Sequence, residues 1–279
     1  MRVAIIGTGY LGRTVVANFK NHGIGVVHTY NTQKYFVDSV HLDLFFQNLA
    51  DIISLAEIDV VVFTSMIEDS LDTEAVLEAM RRAFSACKDK RVVYVSTDAV
   101  FDGQKGQYVE TDTATPITAY GRHKKLCEDL AQKIIPNCCI VRPSYIYGFS
   151  LGKLDNRLNK AQTLAQSGQS IKKFVDMFKS PTEVNQLAEI IITVSGSDFV
   201  GVLHACGKRL SVYEFFKQAL AALGKQTDSL EPDHMPENAP PEYLADTSLD
   251  STFLKKKFGF EPVPFEVALS TQKTTKITP

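Results

Sequence analysis

Apolar residues in this chain fall into short unbroken runs, separated by longer stretches with helical spacing. Residues 3–6, 24–29, 60–64, 91–96 and 138–142 are such runs, rich in Val and Ile. A strand that is apolar at every position is buried on both faces, which is the signature of a parallel sheet covered on two sides. Between the runs, residues 11–20, 71–85 and 119–133 carry apolar side chains three and four apart, so each predicts a helix. The segment FFQNLADIISLA has the same period and predicts one more. Strands alternating with helices make an α/β chain, and right-handed crossovers turn it into a doubly wound, Rossmann-type parallel sheet.

The pattern changes after Gly148. Residues 149–182 are polar with little period. They are followed by a predicted helix at 183–194, a strand at 201–205 and a helix at 212–223. Residues 224–247 carry Pro232, Pro236, Pro240 and Pro241 and read as loop. A last helix is expected near 249–257, ahead of a frayed tail. The expected organisation is a dinucleotide-binding and catalytic domain over 1–148, a smaller mixed substrate-binding region over 149–270 interleaved with the sheet, and a tail over 271–279.

Composition narrows the function classes. The chain has 279 residues, is 44% hydrophobic and carries a net charge of −2, so nothing draws it globally to nucleic acid or anionic lipid. The N-terminal apolar run is too brief for a secretion signal, and no stretch approaches the ~18 apolar residues of a membrane span. The five cysteines form no C-x-x-C and make an odd count, which fits a reducing, cytoplasmic setting. The six histidines include no H-x-x-x-H, and His204 in GVLHAC reads as a core histidine, so no metal site is expected.

Two motifs carry chemistry. Gly7-Thr8-Gly9-Tyr10-Leu11-Gly12 is a G-x-G-x-x-G run between a strand and a helix, the context a dinucleotide fingerprint requires. Gly7 serves the tight turn, Gly9 the approach of a pyrophosphate, and Gly12 the packing of helix on strand, with the helix N-terminus facing the diphosphate. An NAD site usually has an acid at the end of the second strand, but here that end reads His28-Thr29-Tyr30-Asn31-Thr32-Gln33-Lys34. Thr29, Asn31 and Lys34, supported by Arg13, are positioned to accept a 2′-phosphate, so NADP(H) is favoured over NAD(H). Asp43 is a candidate for the adenine amine. Thr64, Ser65 and Ser96 end strands, where a doubly wound sheet presents residues to its ligand.

The second motif is Tyr120-x-x-x-Lys124. Two residues four apart share one helix face. The chain holds three such pairs, Tyr30/Lys34, Tyr120/Lys124 and Tyr213/Lys217, so spacing alone selects none. Only Tyr120/Lys124 follows a hydroxyl-bearing strand end, Ser96-Thr97-Asp98. Tyr30/Lys34 lies beside the expected adenosine ribose, and Tyr213/Lys217 belongs to a late amphipathic helix with a partly core face. A free tyrosine titrates near ~10, and a neighbouring ammonium stabilises its phenolate. Tyr120 can then protonate a carbonyl as a nicotinamide delivers hydride, with Lys124 on the ribose and Thr97 donating to the carbonyl oxygen.

These residues, with VSTDAVFDG, YVETDTATPITAYGRHKKLCE and IVRPSYIYG, resemble the extended short-chain dehydrogenase/reductases, most nearly the dTDP-4-dehydrorhamnose reductases. FKSPTEVNQLAEII, GVLHACGKRLSVYEFF and LADTSLDSTFLKKKFGFEP follow in the family's order. The resemblance implies a catalytic trio of Thr97, Tyr120 and Lys124, with Asp98 and Tyr145 near the sugar and Pro143 on the nicotinamide side. It further implies Asn156 and Arg157 on the nucleotide half of a nucleotide sugar, and a homodimer. The expected reaction is NAD(P)H-dependent reduction of a 4-keto-6-deoxy nucleotide sugar. A nucleotide-sugar epimerase or dehydratase with bound NAD, and a non-catalytic NADP-binding regulatory or sensor protein, are the alternatives. The chain departs from the family in its shorter glycine motif, in Ala99 where an aromatic residue is common, in Pro143-Ser144 where a small hydroxyl pair is usual, and in lacking an evident basic cluster for the nucleotide.

Overall fold

The computed structural model describes residues 1–66, 72–240 and 243–270. In chain order its elements are β1 (Arg2–Ile6), α1 (Tyr10–Asn21), β2 (Gly25–Tyr30), β3 (Val40–His41), α2 (Leu49–Ile52), β4 (Val60–Phe63), α3 (Thr73–Ala86), β5 (Arg91–Val95), α4 (Ala119–Ile134), β6 (Cys138–Pro143), β7 (Phe149–Ser150), β8 (Lys153–Leu154), α5 (Asn156–Gln166), β9 (Ile171–Phe174), β10 (Phe178–Lys179), α6 (Val184–Ser195), β11 (Gly201–Ala205), β12 (Leu210–Ser211), α7 (Val212–Ala222), β13 (Leu230–Asp233), α8 (Thr252–Phe258) and α9 (Phe265–Ser270).

Seven strands form one sheet in the order β11-β6-β5-β4-β1-β2-β3, and every pairing in it is parallel. The order reverses between β1 and β4, which opens a crevice beyond their C-terminal ends. The unbroken apolar runs are explained by the two layers of core. Val3, Ile5, Val60, Val62, Val93 and Val141 face α1 and α6, where Val15, Phe19, Leu187 and Ile191 meet them. Ala4, Ile6, Val61, Phe63, Tyr94 and Ile140 face the other way, toward Met80 and Phe84 of α3 and Cys127 of α4. Fully burying one such Val, Ile or Phe contributes roughly 1.5–3 kcal/mol. All five cysteines are free and buried, and burial pushes the Cys87, Cys138 and Cys139 thiols up to about 12.

Three expectations need correction. Residues 224–247, read as loop, contain β13, which pairs in parallel with β9 from Leu230 to Asp233. FFQNLADIISLA holds only the single turn of α2 and a 3₁₀ turn at Leu55–Glu57, because Ile53 turns extended and buries itself after one helical turn. Residues 149–182, read as nearly aperiodic, contain α5. Only Leu158 and Ala161 of that helix are buried, so its apolar stripe is too narrow to show in the sequence, and Asp155 starts it by accepting from the Arg157 and Leu158 N–H groups. The expected helix at 71–85 runs Thr73–Ala86, and its first predicted residue lies outside the described residues, as does the expected tail over 271–279.

Residues beyond 148 serve both halves of the fold. α6 packs on α1, and β11 pairs with β6 in the main sheet. α5, β9, α7, β13 and α9 instead build a third core around Leu158, Ile171, Phe215, Phe216 and Leu230. No described helix is long and apolar enough to cross a membrane.

Candidate active site

The glycine run turns where its residues require it. Gly7 has φ +95°, and a side chain there would come within 2.7 Å of the Ser65 Cα. A Cβ on Gly12 would press into the Gly7 carbonyl oxygen, whereas one on Gly9 would meet nothing within 4 Å. Gly9 therefore faces open space. It also begins α1 without a side-chain cap, which leaves the first N–H groups of the helix for a ligand.

A cavity of about 550 Å³ opens there, lined by Gly7, Thr8, Gly9, Tyr10 and Leu11, by Tyr30 to Gln33 with Tyr35 and Phe45, and by Thr64, Ser65, Met66, Val95, Ser96, Tyr120, Lys124 and Ile146. The Ser65 and Ser96 hydroxyls are sealed from solvent with no hydrogen-bond partner among the described residues. Buried hydroxyls in that state call for a polar ligand. Uncapped helix N–H groups, a Cβ-free approach at Gly9 and two orphaned hydroxyls fit a dinucleotide.

Tyr120 and Lys124 reach this cavity from the first turns of α4. The Thr118 hydroxyl caps that helix by accepting from the Gly121 N–H at 3.0 Å. Gly121 is a residue that sequence reasoning missed. A side chain on it would collide with the Ala99 carbonyl oxygen, so its absence lets the Tyr120 turn lie against the Thr97–Ala99 loop. A glycine directly after the tyrosine was the available signal. Lys124 is buried, donates to the Val95 carbonyl at 3.1 Å and lies 5.0 Å from the Tyr94 ring centre. Thr97 is half-buried, accepts from the Ala99 N–H at 3.2 Å and donates to Asp98 Oδ1 at 3.2 Å.

Asp98, expected near the sugar, is buried, and its Oδ2 accepts from the Thr247 hydroxyl at 2.6 Å, the Ser144 hydroxyl at 2.9 Å and the Lys179 ammonium at 3.4 Å. A carboxylate taken out of water needs such partners, and they direct it into the protein. Lys179 of β10 and Thr247, just ahead of α8, thereby fix the loop that carries Thr97. Lys179 and Thr247 lie in the FKSPTEVNQLAEII and LADTSLDSTFLKKKFGFEP segments, but nothing in those segments singles them out as partners of Asp98.

Several cofactor candidates also sit elsewhere. Thr29 is buried behind the glycine turn, where its hydroxyl accepts from the Gly7 N–H at 3.1 Å and its carbonyl from the Thr8 N–H at 2.9 Å. Pro143 is buried in register with Ala205 of β11 and does not line the cavity. Lys34 is exposed, its ammonium 5.6 Å from the Tyr30 ring centre. Asp43 accepts from the Phe45 N–H at 2.9 Å and sets Phe45, rather than itself, in the cavity wall. Thr64 lines the cavity but donates to the Gly7 carbonyl at 2.6 Å, so it too holds the turn. Asn31 lines the cavity.

A second cavity, of about 940 Å³, shares Tyr10, Gln33, Tyr35, Met66 and Ile146 with the first and extends over Lys153 to Arg157, Asn159 and Gln162. Asn156 and Arg157 line it from the first turn of α5. The Arg157 guanidinium lies 3.9 Å from the centre of the Tyr145 ring. Tyr145 sits at φ +46°, a strained conformation for a non-glycine, and burial raises its hydroxyl above the usual tyrosine range. Of the other Tyr/Lys pairs, Tyr213 packs on the third core and Lys217 is exposed.

Farther along α4, Glu128 forms a bidentate buried ion pair with Arg142 of β6, at 2.9 Å to Nε and 2.6 Å to its terminal nitrogen. His204 is fully buried beside Arg142, bonded to the Tyr108 carbonyl, and burial followed by the Arg142 charge pushes it down to about 3. It is the core histidine its sequence context predicts.

Known proteins resemble the chain throughout. The spore coat polysaccharide biosynthesis protein SpsK of Bacillus subtilis (strain 168) is 31% identical over 181 residues, 61% of this chain and 62%, less than two thirds, of SpsK. A dTDP-4-dehydrorhamnose reductase of Aggregatibacter actinomycetemcomitans is 25% identical over 96% of this chain and 97% of its own. The structure of a dTDP-4-dehydrorhamnose reductase from Bacillus anthracis strain Ames in complex with NADP superposes with a TM-score of 0.78 at 21% identity, covering 96% of this chain and 97% of that one, and so shares its fold. With residues 1–275 matching the model of the RmlD substrate binding domain, this chain belongs to that family.

Proposed function

We propose that this chain is an NAD(P)H-dependent reductase of a keto group on a nucleotide-linked sugar. The observation that carries the reading is one cavity lined at one end by the glycine turn and at the other by Tyr120 and Lys124. When bound, NAD(P)H supplies the hydride. Tyr120 donates the proton to the carbonyl oxygen. Lys124, held by the Val95 carbonyl, keeps a positive charge beside the phenolate that forms and hydrogen-bonds a ribose hydroxyl. Thr97, steadied by the Ala99 N–H, exchanges its long bond to Asp98 for one to the carbonyl oxygen and orients it.

Tyr145, Asn156 and Arg157 bind the sugar nucleotide. A 4-keto-6-deoxy sugar is the substrate class, supported by the likeness to the A. actinomycetemcomitans dTDP-4-dehydrorhamnose reductase. NADPH is the preferred reductant, since the loop after β2 offers Asn31, Thr32 and Gln33 to the cavity and no carboxylate. The dehydratase reading is weakened because Asp98 is fully engaged and Ala99 supplies no acid beside it. The test is nicotinamide absorbance on mixing the enzyme with NADPH and a panel of 4-keto-6-deoxy nucleotide sugars. One NADPH is consumed for each sugar reduced, and no consumption across the panel refutes the reading.

A further inference from the structure

Arg13 is a buried cation with no counter-ion among the described residues. It is 6% exposed, and no described carboxylate lies within ion-pair range of it. Its Nε donates to the Ser150 hydroxyl at 2.7 Å. Ser150 in turn accepts from the Thr14 hydroxyl at 2.7 Å and donates to the Tyr10 carbonyl at 2.8 Å, so the anchor itself is rigid. The guanidinium lies 4.7 Å from the Tyr35 ring centre and 5.7 Å from that of Tyr10. Its two terminal nitrogens have no protein partner among the described residues and are not among the sealed polar atoms, and Arg13 lines the second cavity. An unpaired buried charge is costly, and a guanidinium fork fits a phosphate in two-point contact.

The position of the fork selects which phosphate. Arg13 follows Gly12 directly, and the neighbouring Gln33 and Tyr35 line both cavities. Those two residues come from the loop after β2, beside which the adenosine ribose of a dinucleotide lies in this type of sheet. We propose that Arg13, stacked on Tyr35 and fixed by Ser150, recognises a phosphomonoester on that ribose and so makes the site select NADP(H) over NAD(H). Tyr35 shields the contact on one face, and Ser150 sets the direction of the fork. The assignment rests on dinucleotide binding in the first cavity and is independent of the sugar reduced.

Calorimetric titration of the full chain with 2′,5′-ADP, 5′-AMP and thymidine 5′-diphosphate tests it without turnover. Wild type binds 2′,5′-ADP at least about 10-fold more tightly than 5′-AMP, as hydrogen bonds to a charged group imply. Arg13→Gln brings the two ligands within about 2-fold, with 5′-AMP affinity held. Arg13→Lys, which keeps the charge but not the fork, retains part of the preference, and Ser150→Ala narrows it. Equal affinities in wild type overturn the proposal, whether or not Arg13→Gln folds. An equal loss of both adenosine ligands in Arg13→Gln marks a structural residue, and a loss confined to thymidine 5′-diphosphate assigns the anion to a second nucleotide; either result overturns it as well. Failure of sugar reduction leaves the binding ratio standing, and a lost ratio with intact NADH-driven reduction removes only the role of Arg13.

Discussion

Replacing Glu128 by Ala tests how α4, the helix that carries Tyr120 and Lys124, is held. Tyr120, Lys124 and Glu128 are spaced four apart, so they follow one another along a single face of α4. Glu128 is 1% exposed and Arg142 4%. Removing the carboxylate leaves the guanidinium buried against Phe101 and His204, with only a 3.5 Å contact to the His204 ring nitrogen. Breaking a buried pair in this way costs about 3–5 kcal/mol, a large share of the roughly 5–15 kcal/mol that stabilises a folded protein. At roughly 2 °C for each kcal/mol in a chain of this size, the midpoint of thermal unfolding falls by about 6–10 °C. Urea unfolding measures the same loss. The double variant Glu128→Leu/Arg142→Met removes both charges and recovers to within about 1–2 kcal/mol of wild type, because a well-packed apolar pair is close to neutral against a buried ion pair. The double-mutant cycle closed by the single variants Glu128→Leu and Arg142→Met then gives a coupling of about 2 kcal/mol or more. A single variant that loses under about 1 kcal/mol refutes the reasoning, since α4 would then be held by something other than this pair.

Two further outcomes follow from the structure. His204 is held near 3 in the folded chain, below its ordinary value, so the unfolded chain takes up the proton first as pH falls. Its contribution is fully present above about 6.5 and is lost as pH drops from there toward 3, by about 2 kcal/mol between pH 7.5 and 5; unfolding of His204→Gln across that range shows a correspondingly smaller drop, and parallel curves count against the assignment. Gly9→Ala and Gly12→Ala separate ligand space from packing. The Gly12 Cβ meets the Gly7 carbonyl and destabilises the fold by about 1–3 kcal/mol, while the Gly9 Cβ meets no protein atom, leaves unfolding within about 0.5 kcal/mol and still weakens 2′,5′-ADP binding. Equal melting of the two variants contradicts that division.

The parts of the fold that follow from hydrophobic period were legible in the chain. Wholly apolar runs such as Val60–Phe63 declare a strand covered on both faces, and the glycine run declares the turn before α1. α5 was hidden because a helix that buries little more than Leu158 and Ala161 leaves almost no periodic mark. That Tyr120 and Lys124, rather than the other two Tyr/Lys pairs, are the ones to weigh was readable from strand-end context, and both line the cavity beside the glycine turn. The true setting of Asp98 was not readable, because its partners Lys179 and Thr247 lie 81 and 149 residues away, and such pairings are created by the fold rather than by local spacing. Thr29 illustrates the same limit. A strand-end hydroxyl looks alike in sequence whether it faces the ligand or the turn behind it, and only the Gly7 N–H decides.

The central claim is that Tyr120 protonates a carbonyl oxygen as hydride arrives at the carbonyl carbon. The direct measurement is label transfer from NADPH deuterated at the hydride position to a 4-keto-6-deoxy nucleotide sugar, read by mass spectrometry and NMR. The account predicts one deuterium at the former carbonyl carbon in wild type. In Tyr120→Phe it predicts a rate lower by about 100-fold or more, the scale of general acid catalysis, with 2′,5′-ADP affinity unchanged. Unlabelled product, or a Tyr120→Phe variant that transfers label at the wild-type rate, contradicts it.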